Sequence, residues 1–189
     1  MSHAPDHLVE IYAEVTPNPN TLKFILNRQF LESGSIDFPT AEKAKGSFLP
    51  ETLFKIESVK GVLIGKDFIT VSKDPQAEWE MLVNFVIEAI KTCVASGQPF
   101  FAEGLQTESV SKDADEIEQR IRQILDEEIR PAVARDGGDI IFYGFQDGVV
   151  TLHLQGACST CPSSIFTLKM GVETRLKAAI PEVKEVVQV

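Results

Sequence analysis

Cys158 and Cys161, separated by two residues, are the part of this chain whose types and spacing could do chemistry. They lie in Gly156-Ala157-Cys158-Ser159-Thr160-Cys161-Pro162-Ser163-Ser164, where a strand-like apolar run ends and a helix-like run begins. That spacing brings two sulfurs close enough to grip one metal centre or to close one small disulfide loop. The thiolate is the form that binds iron or zinc, and a helix N-terminus favours it through unpaired N–H groups and aligned peptide dipoles. Pro162, suited to the first helical position, sets such a terminus beside Cys161. The pair is therefore expected to ionise readily.

Two thiolates are half of what a structural zinc ion or a four-iron cluster takes from protein. The sequence has no second CxxC, and its third cysteine, Cys93, lies far upstream. The simplest completion brings Cys158 and Cys161 of two copies together across a two-fold axis. A cluster held that way sits between subunits and is released by separating them, which suits carriage better than storage. A thioredoxin-like dithiol also places CxxC between strand and helix, but it needs parallel βαβ units that the order of elements here does not supply. Zinc stays open as a third possibility at this point.

The elements that must position the pair are readable around it. Ile117, Ile121, Ile124, Leu125, Ile129, Ala132 and Val133 recur at helical spacing, with Pro131 expected to kink or end that helix. Asp136-Gly137-Gly138-Asp139 stops it through helix-end and turn chemistry rather than as a cation or phosphate loop. Ile140–Phe145 and Val149–Gln155 then form an antiparallel hairpin about Asp147-Gly148. After the cysteine loop, Ile165, Leu168, Val172, Leu176 and Ala179 share one side of a helix that Pro181 ends, and residues 183–189 add a last strand. The order α-β-β-α-β predicts a three-stranded sheet with helices against it. His153 alternates with Leu152 and Leu154 and is expected on the polar, surface side. Asp126-Glu127-Glu128 reads as a solvated helix face.

Upstream, residues 8–15 and 21–26 read as strands around the turn Thr16-Pro17-Asn18-Pro19-Asn20. A looser stretch containing a short helix at 51–56 precedes a hairpin, Val62–Ile64 and Phe68–Val71. Pro75 is expected to open a helix with Trp79, Leu82, Val83, Val86, Ile90 and Cys93 on one face, which makes Cys93 a packing residue. Nine of the twelve phenylalanines precede residue 102, enough aromatic surface for a separate core. The fold class is therefore α+β in two small domains, 1–101 and 114–189, joined by a flexible acidic linker at 102–113.

With 189 residues, a net charge of -10 and 43% hydrophobic residues, the chain is globular and unsuited to nucleic acid or anionic membrane as its main partner. Three cysteines do not make a secreted disulfide framework, so a reducing compartment is expected. Residues 1–7 lack the pattern of a signal or transit peptide, and no apolar run approaches a bilayer's thickness. The reading is a cytoplasmic protein, with a removed mitochondrial leader as the alternative.

On these residues the C-terminal part resembles the Nfu family, the domain also found at the C-terminus of NifU proteins. Asp136-Gly137-Gly138-Asp139, the strand pair and the nine-residue cysteine loop carry that resemblance. Thr16-Pro17-Asn18-Pro19-Asn20-Thr21-Leu22-Lys23-Phe24 and Asp67-Phe68-Ile69-Thr70-Val71 resemble the N-terminal domain of Nfu proteins. The resemblance implies an iron-sulfur carrier, not an enzyme, that binds a 4Fe-4S cluster between the subunits of a homodimer through Cys158 and Cys161. It implies apo iron-sulfur proteins as recipients and an upstream cluster donor. The extra cysteine-rich domains of longer NifU proteins have no counterpart in this sequence, which favours late transfer over cluster assembly.

Overall fold

The computed structural model describes residues 9–102, 105 and 115–189, with backbone only at 162–164. Two sheets, each with its own apolar core, organise these residues. The first sheet has five strands in the order β1-β2-β5-β4-β3: β1 (Ile11–Val15), β2 (Thr21–Leu26), β3 (Ile36–Phe38), β4 (Val59–Ile64) and β5 (Phe68–Lys73), all antiparallel. Alternation along β2 sends Leu22, Phe24 and Leu26 to one face, where Val62, Ile64, Ile69 and Val71 join them. The helices α1 (Ala41–Ala44), α2 (Phe48–Phe54) and α3 (Trp79–Ser96) complete this half, and Leu49, Leu53, Val86, Ile90 and Cys93 enter its core.

Three local expectations differ from the structure here. The helix expected from Pro75 begins at Trp79, because residues 75–77 form a turn and bend, and it ends at Gly97 in the left-handed conformation. The short helix expected at 51–56 is α2, starting earlier at Phe48. The stretch expected to be loose contains β3, whose three residues are too few for periodicity to register, although Ile36 and Phe38 are buried. Cys93 is fully buried, a packing residue as expected.

The linker expected at 102–113 lies almost wholly outside the described residues, as do His3 and His7. The chain resumes with Asp115 as N-cap of α4 (Glu116–Ile124). A π turn (Leu125–Ile129) follows, and then α5 (Arg130–Arg135). Pro131 neither ends nor breaks the run. The widened turn just before it lets the Arg130 N–H reach Leu125 O, five residues back, so the ladder has already shifted where proline offers no donor. Gly137, with φ +78°, closes α5.

The second sheet follows in the order β6-β7-β8: β6 (Gly138–Gln146), β7 (Val149–Gly156) and β8 (Glu185–Gln188). β6 and β7 are antiparallel and β8 runs parallel to β7, the helix α6 (Pro162–Ala179) making the crossover. Ile121, Ile124, Leu125, Val133, Ile140, Leu152, Leu154, Val172, Leu176 and Val186 form the core beneath it. The α+β class and the α-β-β-α-β order of this half are as expected. His153 points away from that core; its ring nitrogen Nδ1 lies 2.6 Å from Val189 O, and it is half-buried rather than fully at the surface.

Candidate metal centre

The loop between β7 and α6 carries both cysteines. Gly156, with φ +63°, turns the chain out of β7, and the Ser159 hydroxyl and N–H both donate to Gly156 O, at 2.8 and 3.2 Å. Cys161 is the N-cap of α6, and its carbonyl accepts the first helical hydrogen bond from Ile165 N at 3.0 Å. The sulfur-bearing loop is thus anchored on one side by a strand end and on the other by a helix start.

Cys158 belongs to the core of this half and is 4% exposed, while Cys161 is 7% exposed. The expected readiness to ionise is corrected for Cys158. Burial, joined by the nearby Asp136, Cys161 and Asp139, pushes its thiol up to about 11. A helix dipole acts at its own first turn and falls off quickly, whereas the loss of water acts on the whole side chain. Cys158 is therefore a protonated, sheltered thiol until something replaces its proton.

An apolar groove of about 580 Å³ opens beside Cys158 between α6 and the π turn with α5, walled by Ile129, Ala132, Val133, Leu168 and Val172. At its rim the Arg175 guanidinium donates to both carboxylate oxygens of Glu128, at 2.5 and 2.6 Å, and holds that carboxyl below its usual range. Asp126 pairs with Arg130 at 2.9 Å and Glu127 accepts from Gln123 at 3.0 Å, so the acidic run is a helix face laced by local pairs.

Several residues to which the sequence analysis gave no part in the site surround the loop. Asp139 is buried, forms an ion pair with Arg130 whose Nε lies 3.2 Å away, and accepts from Ser35 Oγ at 2.5 Å and from Ile140 N at 2.7 Å. Asn18, 3% exposed, donates through Nδ2 to Ala157 O at 3.1 Å and to Thr160 Oγ1 at 2.7 Å. The Cys161 thiol faces Pro17 O at 4.0 Å. The sequence marked Asn18 and Pro17 through the turn-forming run Thr16–Asn20 and the family resemblance it carries, which announce a loop and not its destination.

Among the described residues, no three His, Cys, Asp or Glu side chains converge as a metal site. Cys158 and Cys161 carry soft sulfur donors of the type that iron-sulfur clusters and zinc take.

Both α+β units of the chain match models of one protein family. The NifU-like domain matches residues 121–187, and the N-terminal domain of the Nfu/NifU scaffold proteins matches residues 11–97. The human protein named NFU1 iron-sulfur cluster scaffold homolog, mitochondrial, is 46% identical over 187 residues, covering 98% of this chain and 74% of its own. The protein of the same name from Drosophila ananassae is 44% identical, with 95% of this chain and 64% of its own length covered. The solution structure of a NifU-like protein from Saccharomyces cerevisiae matches with a TM-score of 0.48 and 27% identity, over 55% of this chain and 93% of that one. The chain belongs to the Nfu/NifU family of scaffold proteins. The expected cytoplasmic location is corrected by these relatives, which are named as mitochondrial.

Proposed function

We propose that this protein carries an iron-sulfur cluster, a 4Fe-4S cluster held between two copies by Cys158 and Cys161 of each, and passes it to apo-proteins. The observation that carries the reading is the position of the cysteine pair. Two soft ligands sit at a helix start, in a chain whose relatives are named iron-sulfur cluster scaffolds, and the described residues around them bring no further ligand group. Four thiolates make such a cargo anionic, and the N-termini of two α6 helices facing it offset part of that charge.

The homodimer finds support in α6 itself. Phe166 and Met170, four residues apart on the helix that begins beside Cys161, are 68% and 48% exposed. Large apolar side chains in that position are suited to cover by a second copy. Release then proceeds by ligand exchange, as thiolates of a recipient replace these four one after another. No substrate is chemically turned over, so the protein is a carrier and not an enzyme. An upstream donor supplies the cluster, and mitochondria are the compartment that the relatives' names favour. We further divide the chain into a cluster-binding unit at 114–189 and a unit at 1–101, joined through 102–113.

The test is anaerobic reconstitution of the full chain with iron and sulfide, followed by counting both per dimer. Four of each per dimer, lost on replacing either cysteine, is the expected result. A loaded protein that is strictly monomeric, or one that binds zinc in preference to a cluster, removes the proposal.

A further inference from the structure

The five-stranded sheet has two unlike faces. One is apolar apart from Lys73 at the end of β5, and meets α2 and α3. The other presents Thr21, Lys23 and Thr70, with Leu63 beside them, and all four are buried although none belongs to the apolar core. Lys23, Thr70 and Leu63 face the cysteine-bearing end of the other half, while Thr21 bonds to Thr16 and Asn18 of the adjoining turn. A Cβ at Gly137 would stand 2.9 Å from Thr70 Oγ1, and one at Gly156 would stand 2.6 Å from Leu63 Cδ2. These glycines flank the site, one just before β6 and one at the end of β7, and their positive φ angles and missing side chains let the sheet settle onto the loop.

We propose that this polar sheet face, with the turn Thr16–Asn20, is a removable cap on Cys158 and Cys161. The capped arrangement is the cluster-free state in which the thiols are protected, and a second copy reaches the sulfurs only after the cap lifts. This rests on the reading of the pair as ligands. Asn18 supplies the latch, its amide bridging Ala157 O and Thr160 Oγ1 across the loop, while the Pro17 carbonyl lies over Cys161. With the cap closed, protein occupies the side of Cys161 from which a partner's sulfurs would have to approach.

The chemistry of the interface marks it as separable. Thr70 Oγ1 is buried without a hydrogen-bond partner, and an orphaned hydroxyl regains its bonds when the face meets water. Lys23 is buried too, with Nζ lying 4.7 Å from the centre of the Phe68 ring. Polar faces of this kind are common between units that move relative to one another, unlike the apolar contacts of a permanent core.

The test is the rate of maleimide labelling of Cys161 in the cluster-free full chain, read by peptide mass mapping and normalised to the unfolded chain. Cys161 is the reporter because Cys158 also borders the apolar groove. When opening is fast and reversible, the rate follows the population of the open form. Cys161 should label at least about tenfold more slowly than in the unfolded chain, and Asn18→Ala, which removes both latch bonds, should speed it about fivefold. Thr70→Val, which removes the orphaned hydroxyl at nearly constant shape, should slow it about fivefold, a direction that general destabilisation cannot produce. Cys93, buried in the other core, reports unfolding and should stay unlabelled in all three proteins.

Labelling of the native protein as fast as the unfolded chain, or rates that ignore both substitutions, would overturn the cap. If the rates follow the expected order and the three proteins also take up iron and sulfide in that order, the cap and the cluster reading stand together. If the labelling order holds and none takes up a cluster, the cap stands and the cluster reading falls.

Discussion

Gly138 lies directly beneath Cys158: a Cβ built on it would stand 2.6 Å from Sγ and 2.9 Å from Gln155 O. The first residue of β6 thus sets how deeply the thiol seats in the core. Gly138→Ala forces Cys158 or the β6–β7 pairing to shift, at a cost of about 1–3 kcal/mol. The expected outcome is a lower thermal midpoint together with a more exposed Cys158, read by thiol titration of the folded protein. An unchanged midpoint would show that the loop yields without strain.

Cys158→Ala and Cys161→Ala are each expected to abolish cluster binding while circular dichroism stays near that of the parent. Cys158→Ala should carry the larger stability loss, of order 1 kcal/mol, because Cys158 packs in the core of its half. Cys93→Ser should leave iron and sulfide content unchanged and alter stability alone, since Cys93 lies in the other core. Retention of a full cluster by the Cys158→Ala protein contradicts the ligand assignment.

Arg130 and Asp139 form a half-buried pair in which Asp139 is 6% exposed and Arg130 Nε also donates to Ile140 O at 3.0 Å. Removing the guanidinium strands a buried carboxylate, so Arg130→Ala should lose about 3 kcal/mol in urea unfolding. Replacing both residues in the Arg130→Met, Asp139→Asn double variant should cost less than the single change. Equal losses would mean that the pair is not coupled.

Asp37 on β3 has its carboxyl pushed up to about 6, chiefly by burial, against a partial offset from His153 on β7. The folded state thus binds a proton that the unfolded chain has released above about pH 4, and stability falls as pH rises from about 4 to 6. The loss is about 3 kcal/mol at most and is complete above that window. Asp37→Asn should therefore stabilise the protein at pH 8 and flatten this part of its pH profile. Urea midpoints at pH 4.5, 6 and 8 measure it, and parallel profiles for the two proteins would refute the assignment.

Much of the fold was legible in the chain because local rules produced it. The α-β-β-α-β order followed from helical and two-residue periodicities, and the β6–β7 hairpin from Asp147-Gly148, whose φ angles are both positive as that turn requires. Pro162 and Cys161 marked the start of α6 for the same reason, since first-turn chemistry is written in adjacent residues. β3 escaped because three residues carry no period, and the passage of the helix through Pro131 depended on a widened turn whose hydrogen bonds span five residues.

That a cysteine pair could bind metal was likewise a matter of residue type and spacing, readable along the chain. The state of that pair was not. Cys158 is a sheltered thiol because it packs in the core of its half against Gly138, and its loop is closed by a distant turn, the bonds from Asn18 to Ala157 and Thr160 spanning 139 and 142 residues. Pattern rules see neighbours along the chain, whereas desolvation and closure depend on which distant surfaces meet in space.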